Sequence, residues 1–250
     1  MLFAIIGALI IGASLGLFGS GGSILTVPVL MYLVNMPADL AIASSLLIVA
    51  GISLFGSISY IRRKSVSWKH LWVFGIPGMI GTYGGAWLGT LVDSRWQLLV
   101  FSLLMIVAAV FMWRSKSPEN GNTQTLNYTK VMFEGLTVGV ITGFVGVGGG
   151  FLIVPALVLL AGLSMPVAIG TSLLIIVIKS VVGFFKYYAV MSSQNITFDW
   201  FVIGIMIAGG VLGSVFGAQL GRSIAKDKLQ KGFAVFLVGM GLFVIIKSVL

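Results

Sequence analysis

The chain has 250 residues, 58% of them hydrophobic and 8% charged, with a net charge of +9 and no cysteine. Such a composition excludes a soluble domain and marks an integral membrane protein. Its basic excess then belongs at a membrane surface rather than on nucleic acid, and disulfides, thiolate metal sites and cysteine nucleophiles are ruled out. In chain order, apolar blocks are predicted at 2–34, 40–61, 71–92, 98–113, 131–161, 167–190, 200–220 and 229–250, each able to cross a bilayer as helix. The first has no basic residue before it and no cleavage region after it, so Met1 onward is read as mature protein. The fold class expected is an all-α polytopic membrane protein, with residues 1–250 forming a single transmembrane domain.

The first and fifth blocks are too long for one ordinary span. Each is interrupted by glycines, in "GLFGSGGSILTVP" and "GFVGVGGGFLIVP". These interruptions are copies. A shift of 127 residues matches Gly12, Gly16, Gly19, Gly21, Gly22, Val27 and Pro28 with Gly139, Gly143, Gly146, Gly148, Gly149, Val154 and Pro155. The register continues through "AIASSLLI" and "AIGTSLLI", with 19 identities in the 49 positions from Gly12 to Tyr60. A second offset pairs "GAWLG" at Gly85 with "GAQLG" at Gly217. The chain is therefore a duplicated unit: repeat 1 at 1–113, a polar linker at 114–130 expected in the cytoplasm, and repeat 2 at 131–250.

Each repeat is expected to hold a glycine-broken helix hairpin plus three transmembrane helices. If the broken blocks enter and leave on one side, each half crosses an odd number of times and the halves are inverted. One side then receives Arg62, Arg63, Lys64, Lys69, Arg114, Lys116, Lys130, Arg222, Lys226 and Lys228, against Arg95 in the opposing loops. That is a positive-inside pattern with both termini outside.

Glycines at helical spacing, Gly75, Gly78, Gly81, Gly85 and Gly89 or Gly209, Gly210, Gly213, Gly217 and Gly221, read as packing stripes. The consecutive ones are different, because they leave backbone amides that need a ligand or water. Paired broken helices in two halves of a chain point to a midplane anion site. The expected arrangement has hairpins dipping from opposite sides to present Ser20, Gly21, Gly22 and Ser23, and Val147, Gly148, Gly149 and Gly150, to one shared central site.

The duplicated pairs Ser44–Ser45 and Thr171–Ser172 either bond back to their own helices or contact ligand. Lys179 matches Ile52 in the other half. A lysine within an apolar block is a functional candidate, the alternatives being snorkelling or a paired carboxylate. Ser172, Lys179 and Lys186 share one helix face, as a polar pathway would require, and suggest a negatively charged solute. Tyr60 and Tyr187, another repeated pair, fit either a pathway or an interfacial belt. Trp68, Trp72, Trp96, Trp113 and Trp200 fall at block ends, as that belt should.

Glu134 reads as a surface partner of Lys130, and His70 as a surface residue. No metal site is expected, since the carboxylates and the one histidine do not cluster. An intramembrane serine enzyme using Ser20 lacks a base. The glycine runs also lack the Lys-Ser/Thr ending of a phosphate loop.

"GLFGSGGSILTVPVL" with its copy "GFVGVGGGFLIVPAL", each followed by "ASSLL" or "GTSLL", resembles the sulfite exporter TauE/SafE family, also called the toluene sulfonate uptake permease family. The likeness extends through "YIRRKSVSW" and covers essentially the whole chain. It implies a carrier of the bacterial inner membrane for sulfite, thiosulfate, sulfoacetate or other sulfonates, driven by the proton gradient and without a cofactor. Its motif falls on Gly19, Gly21, Gly22, Pro28, Ser44 and Ser45, and on Gly146, Gly148, Gly149, Pro155, Thr171 and Ser172. Lys179 departs from the family pattern and becomes a candidate determinant of substrate. The resulting expectation is a small anion carried by alternating access between inverted repeats. A passive anion channel is the alternative, and an intramembrane enzyme a more distant one.

Overall fold

The computed structural model describes residues 2–19, 21–114, 128–146, 150–193, 197–221 and 224–249. The first half forms α1 (Leu2–Phe18), α2 (Gly21–Tyr32), α3 (Ala38–Arg62), α4 (Trp68–Gly89) and α5 (Ser94–Arg114). The second forms α6 (Tyr128–Val145), α7 (Gly150–Pro155) running into a π-helical turn (Ala156–Leu160), α8 (Met165–Ser193), α9 (Trp200–Leu220) and α10 (Lys226–Val249). The all-α fold is as expected, and α3, α5, α8 and α9 are long and apolar enough to cross a membrane. One boundary moves, because α6 begins at Tyr128, inside the stretch 114–130 read as linker.

Glycine stops the first helix of each half. Gly19 adopts φ +73°, and its N–H donates to the Leu15 carbonyl at 2.7 Å. Gly146 adopts φ +69°, with its N–H shared between the Thr142 and Gly143 carbonyls, each at 3.1 Å. Both are left-handed helix ends that a residue with a Cβ disfavours. Beyond the first break α2 returns antiparallel along α1, with Val29 packed on Gly7 and Leu15 on Gly22. The first broken block is a hairpin.

Glycine also sets how the helices pair. Gly12 and Gly16 of α1 lie on the backbone of Gly210 and Ser214 in α9, while Gly213 and Gly217 of α9 lie on Leu9 and Ala13. The pair α4 and α6 repeats this arrangement: Gly81 and Gly85 meet Leu136 and Val140, and Gly139 and Gly143 meet Gly78 and Thr82. In both pairs the helices run parallel with backbones touching, which only missing side chains permit. The first helix of each half is thus held by the fourth helix of the other.

Between these pairs α3 and α8 cross antiparallel, Leu46 meeting Gly183 toward one end and Tyr60 meeting Gly170 toward the other. The direction of every helix follows. α1, α3 and α9 run one way, and α4, α6 and α8 the other. One end of the bundle therefore gathers Arg62, Arg63, Lys64, Lys69, Arg114 and Lys130, while Arg95 lies at the opposite end. Trp68, Trp72, Trp96, Trp113 and Trp200 are all exposed, as a lipid-interface belt requires.

A Cβ on Gly85 would lie 2.0 Å from the Val140 carbonyl oxygen, whereas one on Gly84 meets nothing within 4 Å. Gly85→Ala should therefore cost about 1–3 kcal/mol by overpacking. Gly84→Ala should be neutral or stabilising by up to ~1 kcal/mol. Thermal unfolding of the purified variants checks the contrast.

Candidate functional site

Because α3 and α8 are antiparallel, a residue early in one helix reaches the helix break of the other half. The Ser45 hydroxyl donates to the Ile42 carbonyl at 2.7 Å and lies 3.2 Å from the Gly146 carbonyl. Its repeat mate Ser172 donates to the Ile169 carbonyl at 2.8 Å and lies 3.5 Å from the Gly19 carbonyl. Tyr60 donates to the Gly16 carbonyl at 3.2 Å and Tyr187 to that of Phe144 at 3.4 Å. Ile42 and Ile169 pack directly on Gly146 and Gly19. Each break is thus held by a serine, an isoleucine and a tyrosine, the serine and isoleucine coming from the opposite half.

The serines combine the two roles left open by the sequence. Each bonds back to its own helix, and each also stands beside a carbonyl that the break has freed. Thr171 accepts the backbone N–H of Ser67 at 2.9 Å and so steadies the start of α4. Ser44 is fully buried, and its hydroxyl has no partner. Gly21, Gly22 and Ser23 open α2 and Gly150 opens α7; Ser20, Gly148 and Gly149 lie outside the described residues.

The candidates do not gather at one centre. Ser172 beside Gly19 and Tyr187 beside Gly146 are separated by about fifteen residues of α8, which sets the two breaks roughly 20 Å apart along the bundle. The reason is the length of α1, which runs most of the way to the basic end before Gly19 turns it. There are two clusters, one toward each end.

Lys179 stands midway between them on α8. It is 1% exposed, and Nζ has no hydrogen-bond partner among the described residues. Its aliphatic stem crosses Gly78 of α4, with Cδ 3.3 Å from where a Cβ of residue 78 would be. In the other half Ile52 crosses Gly210 in the same way. The lysine occupies a slot built for an aliphatic side chain. No carboxylate appears among the buried polar residues described, so neither a paired acid nor snorkelling accounts for it. One turn-pair further along α8, the Lys186 ammonium sits 5.4 Å from the centre of the Tyr83 ring on α4. Ser53 and Ser180, a repeated pair at the level of Lys179, are buried with unpartnered hydroxyls.

The family description sulfite exporter TauE/SafE matches residues 4–244. The chain belongs to the sulfite exporter TauE/SafE family. A relative from Xylella fastidiosa, described as a probable membrane transporter protein, is 30% identical over 246 residues, covering 96% of this chain and 92% of its own. The probable membrane transporter protein YunE of Bacillus subtilis is 26% identical over 260 residues, covering 93% of both. This TauE/SafE chain is accordingly a membrane transporter by family, and a bacterial inner-membrane location is consistent with its helices.

Some of its polar features escape sequence reasoning. His70, expected at the surface, is 7% exposed, with Nδ1 2.8 Å from the Ser67 hydroxyl. The first turn of α4 folds it inward. Glu134 does pair with Lys130, at 3.9 Å. Gln97, Asp39 and Asp93 line a cavity over the Gly146 break. Comparing the two repeats position by position is the signal that would have found them.

At Gly146 a Cβ would lie 2.2 Å from Ile42 Cγ2, and φ is positive. Gly146→Ala should lose about 1–2 kcal/mol to the left-handed backbone alone, and more to the clash. Adding Ile42→Ala should recover the clash but not the backbone share. A double-mutant cycle of unfolding temperatures reads the coupling, and Gly19 with Ile169 should behave alike.

Proposed function

We propose that this chain is a secondary transporter moving a small sulfur-containing anion (sulfite, thiosulfate, sulfoacetate or another organosulfonate) across the bacterial inner membrane. Transport proceeds by alternating access of two inverted repeats, coupled to the proton gradient. The observation that carries the reading is Lys179, a fully buried lysine without a partner, midway between two equivalent helix breaks. An uncompensated ammonium in the bilayer core is costly, and an anion is the partner that removes the cost.

The donors come from this chain. Near the basic end the anion meets Ser172 and the first turn of α2 at Gly21, Gly22 and Ser23, where the helix dipole favours negative charge. Lys179 supplies the charge at the centre. Near the other end Ser45, Ser44 and the first turn of α7 receive the anion. Ser45 and Ser172 take part by turning their hydroxyls from carbonyl to anion, which loosens the contact holding the opposite break and so ties occupancy to movement between the repeats.

The antiparallel crossing of α3 and α8 supports the inverted arrangement. The basic end then faces the cytoplasm and both termini lie outside. The sulfur chemistry and the proton coupling rest on the family.

Reconstituted in vesicles with a pH gradient, the protein should accumulate one sulfur anion above its external concentration. A passive channel would only equilibrate it. Lys179→Ile, which copies Ile52, should lower anion affinity at least tenfold, about 1.4 kcal/mol, with unfolding temperature unchanged or raised. Lys69→Ile at the exposed basic end should stay within about twofold, or some 0.4 kcal/mol. Equal losses in the two variants would remove Lys179 from the site.

A further inference from the structure

A cavity lies beside each break, walled by residues that pack on it, and the two cavities are assembled from equivalent residues. Ile42, Gly89 and Tyr187 wall one of about 330 Å³. Ile169, Gly221 and Tyr60, their counterparts in the repeat, wall another of about 460 Å³ at the basic end. The chemistry of the two differs. The first is lined by Asp39, Asp93 and Gln97, whose counterparts in sequence are Pro166, Ala225 and Leu229. The second is lined by Arg63, whose counterpart Val190 lines the first. Duplication would have made these mouths alike, and their polar residues now differ.

The polar groups described around the first mouth are chiefly acceptors. The Gln97 nitrogen donates to the carbonyls of Gly89 and Val92, the latter at 3.3 Å, which fixes the amide's orientation. Its Oε1 is left buried and without a partner in a side chain only 3% exposed. The Thr90 hydroxyl donates to the Trp87 carbonyl at 2.8 Å and Tyr187 to that of Phe144, so both offer lone pairs inward. Asp93 accepts the Arg95 N–H with one oxygen at 2.8 Å, leaving the other, and Asp39 stands in the first turn of α3. No lysine or arginine lines this cavity among the described residues.

Asp39 and Asp93 are exposed at helix starts, where a carboxylate is favourable. That position does not explain an orphaned amide oxygen behind them. A buried acceptor left unmade is costly, and beside two carboxylates the group that satisfies it is a cation.

We propose that this mouth is a binding site for a small monovalent cation, either a sodium ion or a primary ammonium group carried by the substrate. Asp39 and Asp93 supply the charge, and Gln97 Oε1 is the buried oxygen ligand. The ammonium case rests on the anion reading above and makes the substrate a zwitterion. The sodium case stands without that reading and would make sodium a coupled ion.

The test uses the full chain in detergent, followed by thermal unfolding. Sodium chloride is titrated against choline chloride at equal ionic strength. In choline buffer, 2-aminoethanesulfonate is compared with 2-hydroxyethanesulfonate. A saturable rise of a few degrees with sodium identifies the free ion. A rise with the amino compound that exceeds the hydroxy compound's identifies the ammonium.

Either rise should vanish in Gln97→Leu and fall at least tenfold in apparent affinity in Asp39→Asn. Asp93→Asn, which preserves the helix cap, should weaken it similarly. Should Gln97→Leu fold poorly, the double variant Asp39→Asn with Asp93→Asn leaves the Gln97 amide bonded to Gly89 and Val92 and should abolish the response instead. No rise with sodium together with equal responses to the two sulfonates overturns the site, as does a rise that survives Gln97→Leu and Asp39→Asn. Silence of both sulfonates with a sodium response overturns the ammonium case and leaves the sodium site.

Discussion

The contact on which the rest of the structure depends is bare backbone against bare backbone. In water, two helices are driven together by their apolar faces; in lipid that drive is absent, and close approach must supply the attraction. Gly12, Gly16, Gly213 and Gly217 give α1 and α9 that approach, and Gly81, Gly85, Gly139 and Gly143 give it to α4 and α6. Because each pair joins the first helix of one half to the fourth of the other, neither half has a complete interface of its own. The repeats interlock, and α3 and α8 are left to cross in the middle.

That interlocking makes the helix breaks a property of the whole chain. Gly19 and Gly146 each free a carbonyl, and a hydroxyl from the opposite half approaches it. A displacement of one repeat against the other would alter both contacts together, since the two are related by the same symmetry. The pairs Ser45–Gly146 and Ser172–Gly19 are therefore the polar contacts that a shift between the repeats would change. The tyrosines add a second tether, to Gly16 and Phe144, so each break is held both at its glycine and in the turn of helix before it.

Much of this was legible in the sequence, because duplication prints the same constraint twice. Class, helix count per repeat, the turn at Gly19 and the packing stripe at Gly81 and Gly85 all follow from periodicity and from glycines recurring at a fixed shift. Depth was not legible. Glycine clusters in two halves suggest a meeting point, yet nothing in a one-dimensional pattern says how far α1 travels before it turns, and it travels far enough to keep the breaks apart. His70 escaped for a similar reason: its neighbours Lys69 and Trp68 are exposed, and only the rotation of the first helical turn decides that the next side chain faces inward. The partners of Thr171 and Ser45 are set by the antiparallel crossing of α3 and α8, a tertiary fact that local sequence does not encode.

Against a frame this symmetric, the departures from symmetry carry the chemical information. The backbone provides two equivalent breaks and two equivalent mouths, whose equivalence by itself favours no ion and no direction. Lys179 in the slot that holds Ile52 places one amine at the centre. Arg63 opposite Val190 makes one mouth basic, and Asp39, Asp93 and Gln97 opposite Pro166, Ala225 and Leu229 make the other rich in acceptors. Along the axis the wall therefore runs from basic, through a single buried lysine, to acidic. A solute carrying both signs would find a complement at each end of its own dipole. Substitution at a few unmatched positions, with the packing glycines untouched, is enough to convert a scaffold without polarity into a path with one.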